Sequence, residues 1–271
     1  MLARHLRRWG LEPEGEPWET ASSWLQRVRC DGEPAVLKAP KPGSDEHLGA
    51  AMLRYYDGDG AVRVLRAEEG GACVLERADG GRSLAARAAG GDDEGAAEAL
   101  AGVVTRLLAP RASPAPEGLE ALEARFRPLV TGTAAGLLGR CAAVARGLLA
   151  APRGRVPLHG DLHHDNVLDG GPRGWLAIDP KGVVGEAAYE VANLLCNPVE
   201  HPGLVLDPSR MERLAALYGA RLGLDPPRLL AFGLAHAGLS ACWSEMDGED
   251  PTHALRCAEC LAGLVRVNAV E

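Results

Sequence analysis

The sequence lacks the features that would place a protein in a membrane or in an oxidising compartment. No run approaches the roughly 18 consecutive apolar residues that a membrane-spanning helix needs. The basic N-terminus, MLARHLRRWG, is not followed by the continuous apolar segment of an export signal. The seven cysteines are scattered and odd in number, which is more typical of reduced thiols than of a disulfide framework. We therefore expect a cytoplasmic protein that does not associate with a membrane.

A basic surface is missing as well. The net charge is −8 and the isoelectric point lies near 5.6, whereas nucleic-acid binding needs basic side chains clustered on one face. We therefore expect no nucleic-acid partner, and a cationic small molecule would suit this negative field better. With 46% apolar and 24% charged residues, the composition is that of a soluble globular enzyme and argues against a disordered or fibrous protein.

Lysine is scarce. Of 29 basic residues only three are lysines, Lys38, Lys41 and Lys181. Such a bias toward arginine is typical of proteins from GC-rich genomes, in which a lysine that serves only as a surface charge tends to be replaced. A compact ammonium and a planar guanidinium are not interchangeable against phosphate. A retained lysine is therefore a candidate for a role that arginine cannot perform, although we attribute Lys41 to chance.

The first 78 residues predict a small antiparallel sheet with one helix. Residues 24–38 contain two strand-like runs around Asp31-Gly32, a dipeptide typical of hairpin turns. Ser44 stands where the cap of a following helix would be. Two further strand-like runs cover 61–66 and 72–76.

The rest of the chain predicts a larger helical lobe. Ser209 and Glu212 have the spacing of a capping box at the start of one of its helices. The other helical segments are predicted over 82–108, from 134, over 226–243 and over 251–267. The fold class is therefore α+β, with a sheet-rich lobe over 1–78 and a helical lobe over 79–271, and we expect a monomer.

A segment dense in histidine and aspartate runs from 157 to 182 and reads PLHGDLHHDNVLDGGPRGWLAIDPKG. In it, His159-x-Asp161, then Asn166 five residues after the aspartate, then Asp179 after an apolar strand have the spacing of a kinase catalytic loop and its metal-binding aspartate. Asp161 would reach the hydroxyl that attacks phosphorus, and Asn166 and Asp179 would hold Mg²⁺ against the triphosphate of ATP.

The same segment has a second interpretation as a zinc site. Five side chains could supply zinc ligands: His159, Asp161, His163, His164 and Asp165. Their order, H-x-D-x-H-H-D, differs from the H-x-H-x-D-H of binuclear hydrolases. The later histidines His201, His236 and His253 have no matching context. A metal-dependent hydrolase therefore stays a minor alternative.

Several blocks resemble the aminoglycoside and hydroxyurea resistance kinases, and among these most closely the streptomycin 6-phosphotransferases. The blocks extend from about residue 19 to about residue 250, and they are ETASSWLQRVRCDGEPAVLK, DGDGAVRVL, VLERADGG, LHGDLHHDNVL, GWLAIDPKGVVGEAAYEVANLL and LSACW. The resemblance implies a two-lobed protein-kinase-like fold and transfer of the γ-phosphate of ATP to a hydroxyl of the antibiotic. The expected product is streptomycin phosphorylated at the 6-hydroxyl of its streptidine ring.

The resemblance also implies roles for individual residues. Lys38 would pair with the α- and β-phosphates and would be held by Glu46 of the following helix. Asp161 would be the catalytic base, and Asn166 and Asp179 would be the magnesium ligands. All five residues are present, which favours an active kinase over a nucleotide-binding module that has lost catalysis.

Other parts of the implied nucleotide site are less standard. The segment between the lobes would bind adenine through backbone groups of Glu76 and Ala78, and His163 would take the place of a phosphate-contacting lysine. The phosphate-covering loop would be TASS, which contains Ser22 and Ser23 but no glycine, so backbone amides or serine hydroxyls would have to bind the phosphates. The metal motif D-P-K replaces D-F-G and no A-P-E segment follows it, which argues against a protein kinase.

The acceptor site is expected to bind a cationic aminoglycoside. Streptidine carries two guanidinium groups, for which carboxylates are the natural partners. The candidates are Glu186 and Glu190, soon after the metal aspartate, and Asp247, soon after Trp243, whose ring could also contact a cation. Hydroxyurea or another hydroxylated metabolite is an alternative acceptor.

Overall fold

The N-terminal part of the chain forms a five-stranded antiparallel sheet in the computed structural model, which describes residues 1–43, 48–132 and 135–265. The strand order is β1-β2-β3-β5-β4, with bounds β1 Glu12–Glu19, β2 Ser23–Cys30, β3 Glu33–Pro40, β4 Val64–Ala67 and β5 Cys73–Glu76. The predicted hairpin is confirmed. Strands β2 and β3 pair along their whole length, and Asp31 and Gly32 make the turn with φ angles of 53° and 82°.

One helix and one strand precede the hairpin, and sequence patterns indicate neither of them. Helix α1 (Leu2–Trp9) covers a small apolar cluster on one face of the sheet. Strand β1 reads EPEGEPWE, with two prolines and a glycine, and is almost wholly exposed. It pairs at the edge of the sheet, where proline is tolerated. The amide of Gln26 donates hydrogen bonds of 3.1 and 3.0 Å to the carbonyls of Glu14 and Gly15, where the register of β1 shifts.

A helix follows the hairpin, as predicted. Helix α2 (Gly49–Tyr56) buries Met52, Leu53 and Tyr56 against the rest of the core. The predicted cap Ser44 and the predicted lysine partner Glu46 lie outside the described residues.

Beyond β5 the chain is mainly helical. The helices are α3 Leu84–Ala89, α4 Asp93–Leu107, α5 Leu122–Arg125, α6 Arg127–Val130, α7 Gly136–Ala150, α8 Pro202–Val205, α9 Pro208–Leu222, α10 Pro226–Asp247 and α11 Thr252–Leu264. Helix α10 is buried along most of its length and packs against α7, α9 and α11. The capping box predicted at Ser209 is wrong, because α9 begins at Pro208 and its cap is Asp207. The Asp207 carboxylate accepts a 2.9 Å hydrogen bond from the backbone amide of Ser209.

Short strands carry the polar segment. They are β6 Glu120–Ala121, β7 Val156–Leu158, β8 Val167–Asp169, β9 Trp175–Ala177 and β10 Val183–Gly185. Strands β8 and β9 form a hairpin, and β10 lies between β6 and β7 in a second sheet. The loop from β7 to β8 and the loop from β9 to β10 therefore lie side by side, and they contain the predicted catalytic and metal-binding residues.

The observed architecture confirms the predicted α+β fold class of a sheet-rich lobe and a helical lobe. The predicted domain boundary at residue 78 falls between the end of β5 and the start of α3, and the division into two domains stays a prediction. No helix in the described part of the chain has the length and apolar character of a membrane span.

Candidate active site

An open cleft of about 850 Å³ lies between the five-stranded sheet and the β8–β9 hairpin. Five residues predicted to bind nucleotide or metal line it together: Lys38, Glu76, Ala78, Asn166 and Asp179. Apolar side chains supply opposite walls, with Trp18, Leu25 and Val36 from the sheet and Leu168 and Ile178 from the hairpin. The cleft thus combines an apolar slot with charged and polar side chains, which suits a molecule made of a planar ring and an anionic tail.

The two polar loops are joined by backbone hydrogen bonds. The amide of Ile178 donates to the carbonyl of Asn166 at 2.9 Å, and the amide of Lys181 donates to the carbonyl of His159 at 2.8 Å. Gly160 has a φ of 82°, and a Cβ atom there would lie 2.4 Å from Cγ2 of Val183. This position therefore requires glycine, both for its backbone conformation and for the close approach of β10.

His159 is a buried structural residue. Its Nε2 lies 2.7 Å from the carbonyl oxygen of Ile178, and burial lowers the pKa of the ring to about 3, so the imidazole is neutral and donates this bond. The described ranges contain no group of three or more histidine, cysteine, aspartate or glutamate side chains that could hold a metal ion. The zinc interpretation of the segment therefore finds no support in the structure.

Asp179 is the charged centre of the cleft. It has a φ of 61°, a conformation that few residues other than glycine adopt. The ammonium of Lys38 donates to its Oδ1, and Nζ of Lys181 lies 3.8 Å from its Oδ2. Two of the three lysines in the sequence therefore contact one carboxylate.

The donor set at this end fits a magnesium ion bound together with phosphate. Asn166 donates its side-chain Nδ2 to the carbonyl of Asp161 at 2.8 Å, which leaves its oxygen as the side-chain acceptor, and it shares the cleft with Asp179. Magnesium is usually held by one or two such oxygen ligands together with substrate phosphates and water. The two lysines beside Asp179 supply positive charge at the same place.

Asp161 lies in a network that reaches away from the cleft. Its Oδ1 accepts a 3.2 Å bond from Nδ2 of Asn193, and the Oδ1 of Asn193 in turn accepts a 2.8 Å bond from Asn197. Burial raises the pKa of the Asp161 carboxyl, while the nearby positive groups of His163, Lys181 and Arg125 act in the opposite direction. One carboxylate oxygen is thus fixed by an amide, and the other can accept a proton.

Arg125 connects this network to α10. Its guanidinium donates to the carbonyl of Gly160 at 2.9 Å, to the hydroxyl of Tyr189 at 3.0 Å and to Glu120 at 2.9 Å. It also lies 4.8 Å from the ring centroid of Trp243. The backbone beside Asp161 is therefore held by a long-range arginine contact as well as by its own loop.

Two of the predicted acceptor-binding carboxylates have other partners. Glu186 is 4% exposed and accepts hydrogen bonds from Arg228 and from the amide of Arg153. Glu190 is 2% exposed and accepts bonds from the amides of His159 and Gly160. The predictions for both are corrected, because neither carboxylate faces solvent and each holds a part of the chain in place.

The other two acceptor candidates stay predictions. The guanidinium of Arg125 lies 4.8 Å from the centroid of the Trp243 ring, so a substrate cation would share the ring with it. Asp247 is exposed at the last residue of α10, and its role stays a prediction.

The predicted phosphate-covering loop needs a similar revision. Ser23 is fully buried in β2 and does not line the cleft, so the predicted contact between its hydroxyl and a phosphate is wrong. Thr20 lines the cleft instead, and its hydroxyl accepts a 3.1 Å bond from the Ser23 amide. Ser22 is half-buried, and its carbonyl accepts a bond from the Lys41 amide, which leaves its predicted contact a proposal.

His163 and Glu76 make contacts with neighbouring parts of the chain. His163 is 24% exposed in its side chain and its Nδ1 faces the Asp165 amide at 3.4 Å. The carboxylate of Glu76 accepts from the Arg63 amide at 3.0 Å and from Arg173, which fixes the segment after β5.

Sequence reasoning missed two residues of the Asp161 network. Arg125 is one of 26 arginines, and no local motif distinguishes it. Asn193 could have been noticed, because it is a polar residue inside the apolar run VANLL.

Residues 8–248 match the family model described as aminoglycoside/hydroxyurea antibiotic resistance kinase. A streptomycin 3''-kinase of Klebsiella pneumoniae is 45% identical over 247 residues, which cover 90% of this chain and 92% of the relative. A hydroxyurea phosphotransferase of Kitasatospora aureofaciens is 35% identical, over 97% of this chain and 78% of the relative. A streptomycin 6-kinase of Streptomyces griseus is 34% identical, over 92% and 83%.

Solved structures show the same fold at low sequence identity. A ternary complex of a thermostable mutant of aminoglycoside phosphotransferase APH(4)-Ia with ADP and hygromycin B superposes with a TM-score of 0.66 at 17% identity. The alignment covers 96% of this chain and 97% of that one. The protein-kinase-like arrangement expected from the sequence is thereby confirmed for the fold.

Proposed function

The chain belongs to the aminoglycoside/hydroxyurea antibiotic resistance kinase family, and on that premise we propose that it transfers the γ-phosphoryl group of ATP to a hydroxyl of streptomycin. The observation that carries the proposal is the joint placement of Lys38, Asn166 and Asp179 on one cleft, with Asp161 in the adjoining loop. These four residues come from distant parts of the sequence, and together they supply the phosphate-binding, metal-binding and proton-accepting groups that phosphoryl transfer needs.

The nucleotide is proposed to bind along the cleft. Adenine would occupy the apolar slot, with backbone groups of Glu76 and Ala78 at its edge, and Lys38 would contact the phosphates. A magnesium ion bound by Asn166 and Asp179 would neutralise charge on the phosphate oxygens. The identity of ATP is supported by the ADP and AMP-PNP in complexes of the related fold.

Asp161 is proposed to act on the acceptor. Its free oxygen would accept the proton of the acceptor hydroxyl as the new bond from that oxygen to phosphorus forms and the bond to the bridging oxygen of ADP breaks. The Asn193 bond would keep the carboxylate turned toward the acceptor. Arg125 and Glu190 would hold the backbone on either side of Gly160 so that this geometry exists before the acceptor binds.

Streptomycin is supported as acceptor by relatives and by charge. The net charge of −8 suits a polycation, and Asp247 is an exposed carboxylate at the end of α10. The higher identity to the 3''-kinase favours phosphorylation at the 3''-hydroxyl, while the 6-hydroxyl predicted from sequence blocks stays the second candidate. The similarity to a hydroxyurea phosphotransferase favours hydroxyurea as the alternative substrate.

An ADP-release assay with a panel of acceptors tests the proposal. Streptomycin, hydroxyurea, hygromycin B and choline should be compared at equal concentration with Mg·ATP. We expect turnover with streptomycin well above the rate without acceptor. Turnover with another compound in the panel and none with streptomycin would leave a kinase but overturn this substrate.

The position of the phosphate is decided by ¹H–³¹P correlation NMR of the product. Coupling of phosphorus to a proton of the N-methylglucosamine ring would indicate the 3''-hydroxyl, and coupling to a streptidine proton would indicate the 6-hydroxyl. These two outcomes separate the favoured site from the second candidate.

A further inference from the structure

Lys181 is the second lysine beside Asp179, and the proposed function gives it no step. Lys38 lines the nucleotide cleft, whereas Lys181 does not line it. Lys181 nevertheless lies beside the same carboxylate, with its Nζ 3.8 Å from Oδ2 of Asp179. Its side chain is 17% exposed. An ammonium held so far out of solvent at an active site needs anionic partners throughout the reaction cycle.

The backbone fixes where this ammonium can reach. The Lys181 amide donates to the carbonyl of His159 at 2.8 Å, so the residue is tied to the loop that carries Asp161. Its Cβ would be 3.8 Å from a Cβ built at Gly160. Lys181 therefore lies between the Asp179 carboxylate on one side and the Asp161 loop on the other.

The two lysines contact different oxygens of the Asp179 carboxylate. Lys38 contacts Oδ1 from the nucleotide cleft, and Lys181 approaches Oδ2 from the side of the Asp161 loop. A phosphate chain that runs from Lys38 toward Asp161 would bring its last phosphoryl group to Lys181.

We propose that Lys181 is a catalytic residue that contacts the γ-phosphoryl group and neutralises the charge on its oxygens while it moves from ADP to the acceptor. This inference rests on the proposed function and names an additional residue of the same site. The bond between phosphorus and the bridging oxygen breaks as the bond to the acceptor oxygen forms, ADP leaves with the electron pair, and the acceptor proton goes to Asp161. Lys181 keeps its proton throughout.

This role also explains why the residue is lysine in a chain that otherwise uses arginine. A compact ammonium can follow a phosphoryl group over a short displacement, because its three donors rotate on a flexible stem. A planar guanidinium needs a fixed fork of acceptors and more room. The backbone of Lys181 is bonded to His159, so the residue cannot shift as a whole to accommodate a larger head group.

A comparison of two nucleotides tests the proposal. ADP lacks the γ-phosphate, and AMP-PNP carries a non-transferable equivalent of it. Calorimetry in the presence of Mg²⁺ should give the dissociation constants of both for the wild type, Lys181→Met and Lys181→Arg. We expect Lys181→Met to weaken AMP-PNP by roughly 10–100-fold relative to ADP, the order of one charge-assisted contact. Turnover should fall by at least the same factor, and Lys181→Arg should recover part of both.

Two controls make the result specific. Lys38→Met should weaken ADP and AMP-PNP together, because Lys38 is placed at the phosphates that both share. Arg221→Met removes one positive charge from an exposed pair with Glu98 and should leave both constants and turnover unchanged. A thermal melt of each variant shows whether it is folded.

The proposal is overturned if Lys181→Met weakens ADP and AMP-PNP equally, or if its turnover stays within about threefold of wild type. If the wild type binds Mg·AMP-PNP but phosphorylates no acceptor in the panel, the proposed substrate fails while the nucleotide comparison still decides the role of Lys181. If the wild type binds neither nucleotide, both proposals fall.

Discussion

The nucleotide side and the acceptor side of the candidate site are built in different ways. The nucleotide side consists of the residues that line the cleft, and each sits on a strand or at a strand end: Lys38, Glu76, Asn166 and Asp179. The acceptor side consists of Asp161 and the side chains that hold it, which come from α5 and from the 3₁₀ turns before α8, with contacts to α10. The first side is an open cleft, and the second is a nearly closed polar network.

The difference has a consequence for function. Nucleotide binding should depend on a few direct contacts, each of which can be removed singly. Turnover should depend in addition on partly buried residues that never touch ATP, because Asn193 holds the Asp161 carboxylate and Arg125 holds the backbone beside it. Variants on the two sides should therefore separate binding from catalysis.

The largest difference between the effect on turnover and the effect on Mg·ATP affinity is expected for Asp161→Asn. The amide keeps the shape of the side chain but cannot accept the acceptor proton, so turnover should fall by roughly 10²–10⁴-fold. Affinity for Mg·ATP, measured by calorimetry, should change little. Turnover within a few-fold of wild type would remove Asp161 from the role of base.

The converse separation is expected for Asp179→Ala. Affinity for Mg·ATP should fall by about 100-fold, the order of a lost charged contact. Affinity for metal-free ATP should not fall, because Lys38 and Lys181 would lose a competing carboxylate. Equal affinities of wild type and variant for Mg·ATP would contradict the metal assignment.

A smaller effect is expected for Asn193→Leu. Leucine has a similar branched shape but cannot donate to Asp161, so turnover should fall by about tenfold, equivalent to roughly 1.4 kcal/mol in the transition state. Mg·ATP affinity should be unchanged. Asn193→Asp places a second carboxylate 3.2 Å away and should be worse than leucine. Full activity of Asn193→Leu would show that the network does not position the base.

The stability of the fold should decrease at acid pH. Burial lowers the pKa of His159, His164 and His236 to about 3, from an ordinary value of 6.5. Above pH 6.5 both the folded and unfolded states are neutral at these groups, so they add no pH dependence. Between pH 6.5 and 3 the unfolded chain binds protons that the folded protein excludes. The free energy of unfolding therefore decreases as the pH is lowered through this range.

Each histidine should remove up to about 1.4 kcal/mol of unfolding free energy per pH unit in that window. Urea unfolding at pH 7, 6 and 5 measures the slope. His236→Gln should reduce it by the contribution of one group, and an unchanged slope would show that His236 is not excluded from protonation. Because His236 packs against Tyr189 and Trp243, this variant probes the acceptor side specifically.

The same contrast explains what the sequence could predict. Asp161 and Asn166 are five residues apart on one loop, and the β2–β3 hairpin has a turn dipeptide between its strands, so local spacing was enough to locate both. The links of the acceptor side span 32 residues from Asn193 to Asp161 and 64 from Arg125 to Tyr189. Only the packing of the helices brings these residues together, and a single sequence does not encode that in its spacing.

Glu186 and Glu190 show a second reason why the role of a residue could not be predicted from the sequence. A carboxylate soon after a metal aspartate can bind a substrate cation or hold the protein together, and the residue type does not distinguish the two. Here Arg228 pairs with the first, and the amides of His159 and Gly160 bond the second. Strand β1 was missed because its prolines and glycine disfavour a strand, except at the edge of a sheet, where β1 lies.

Transfer of phosphate from ATP to streptomycin, followed by ³¹P NMR, shows in one measurement whether this protein is a streptomycin kinase and whether Asp161 is its base. Wild type and Asp161→Asn should be mixed with Mg·ATP and streptomycin at concentrations that saturate both. A phosphate-ester signal should grow with the signals of ADP in the wild type and be slower by roughly 10²–10⁴-fold in the variant. An ester that forms at equal rates in the two proteins, or no ester from a wild type that binds Mg·ATP, would contradict the account.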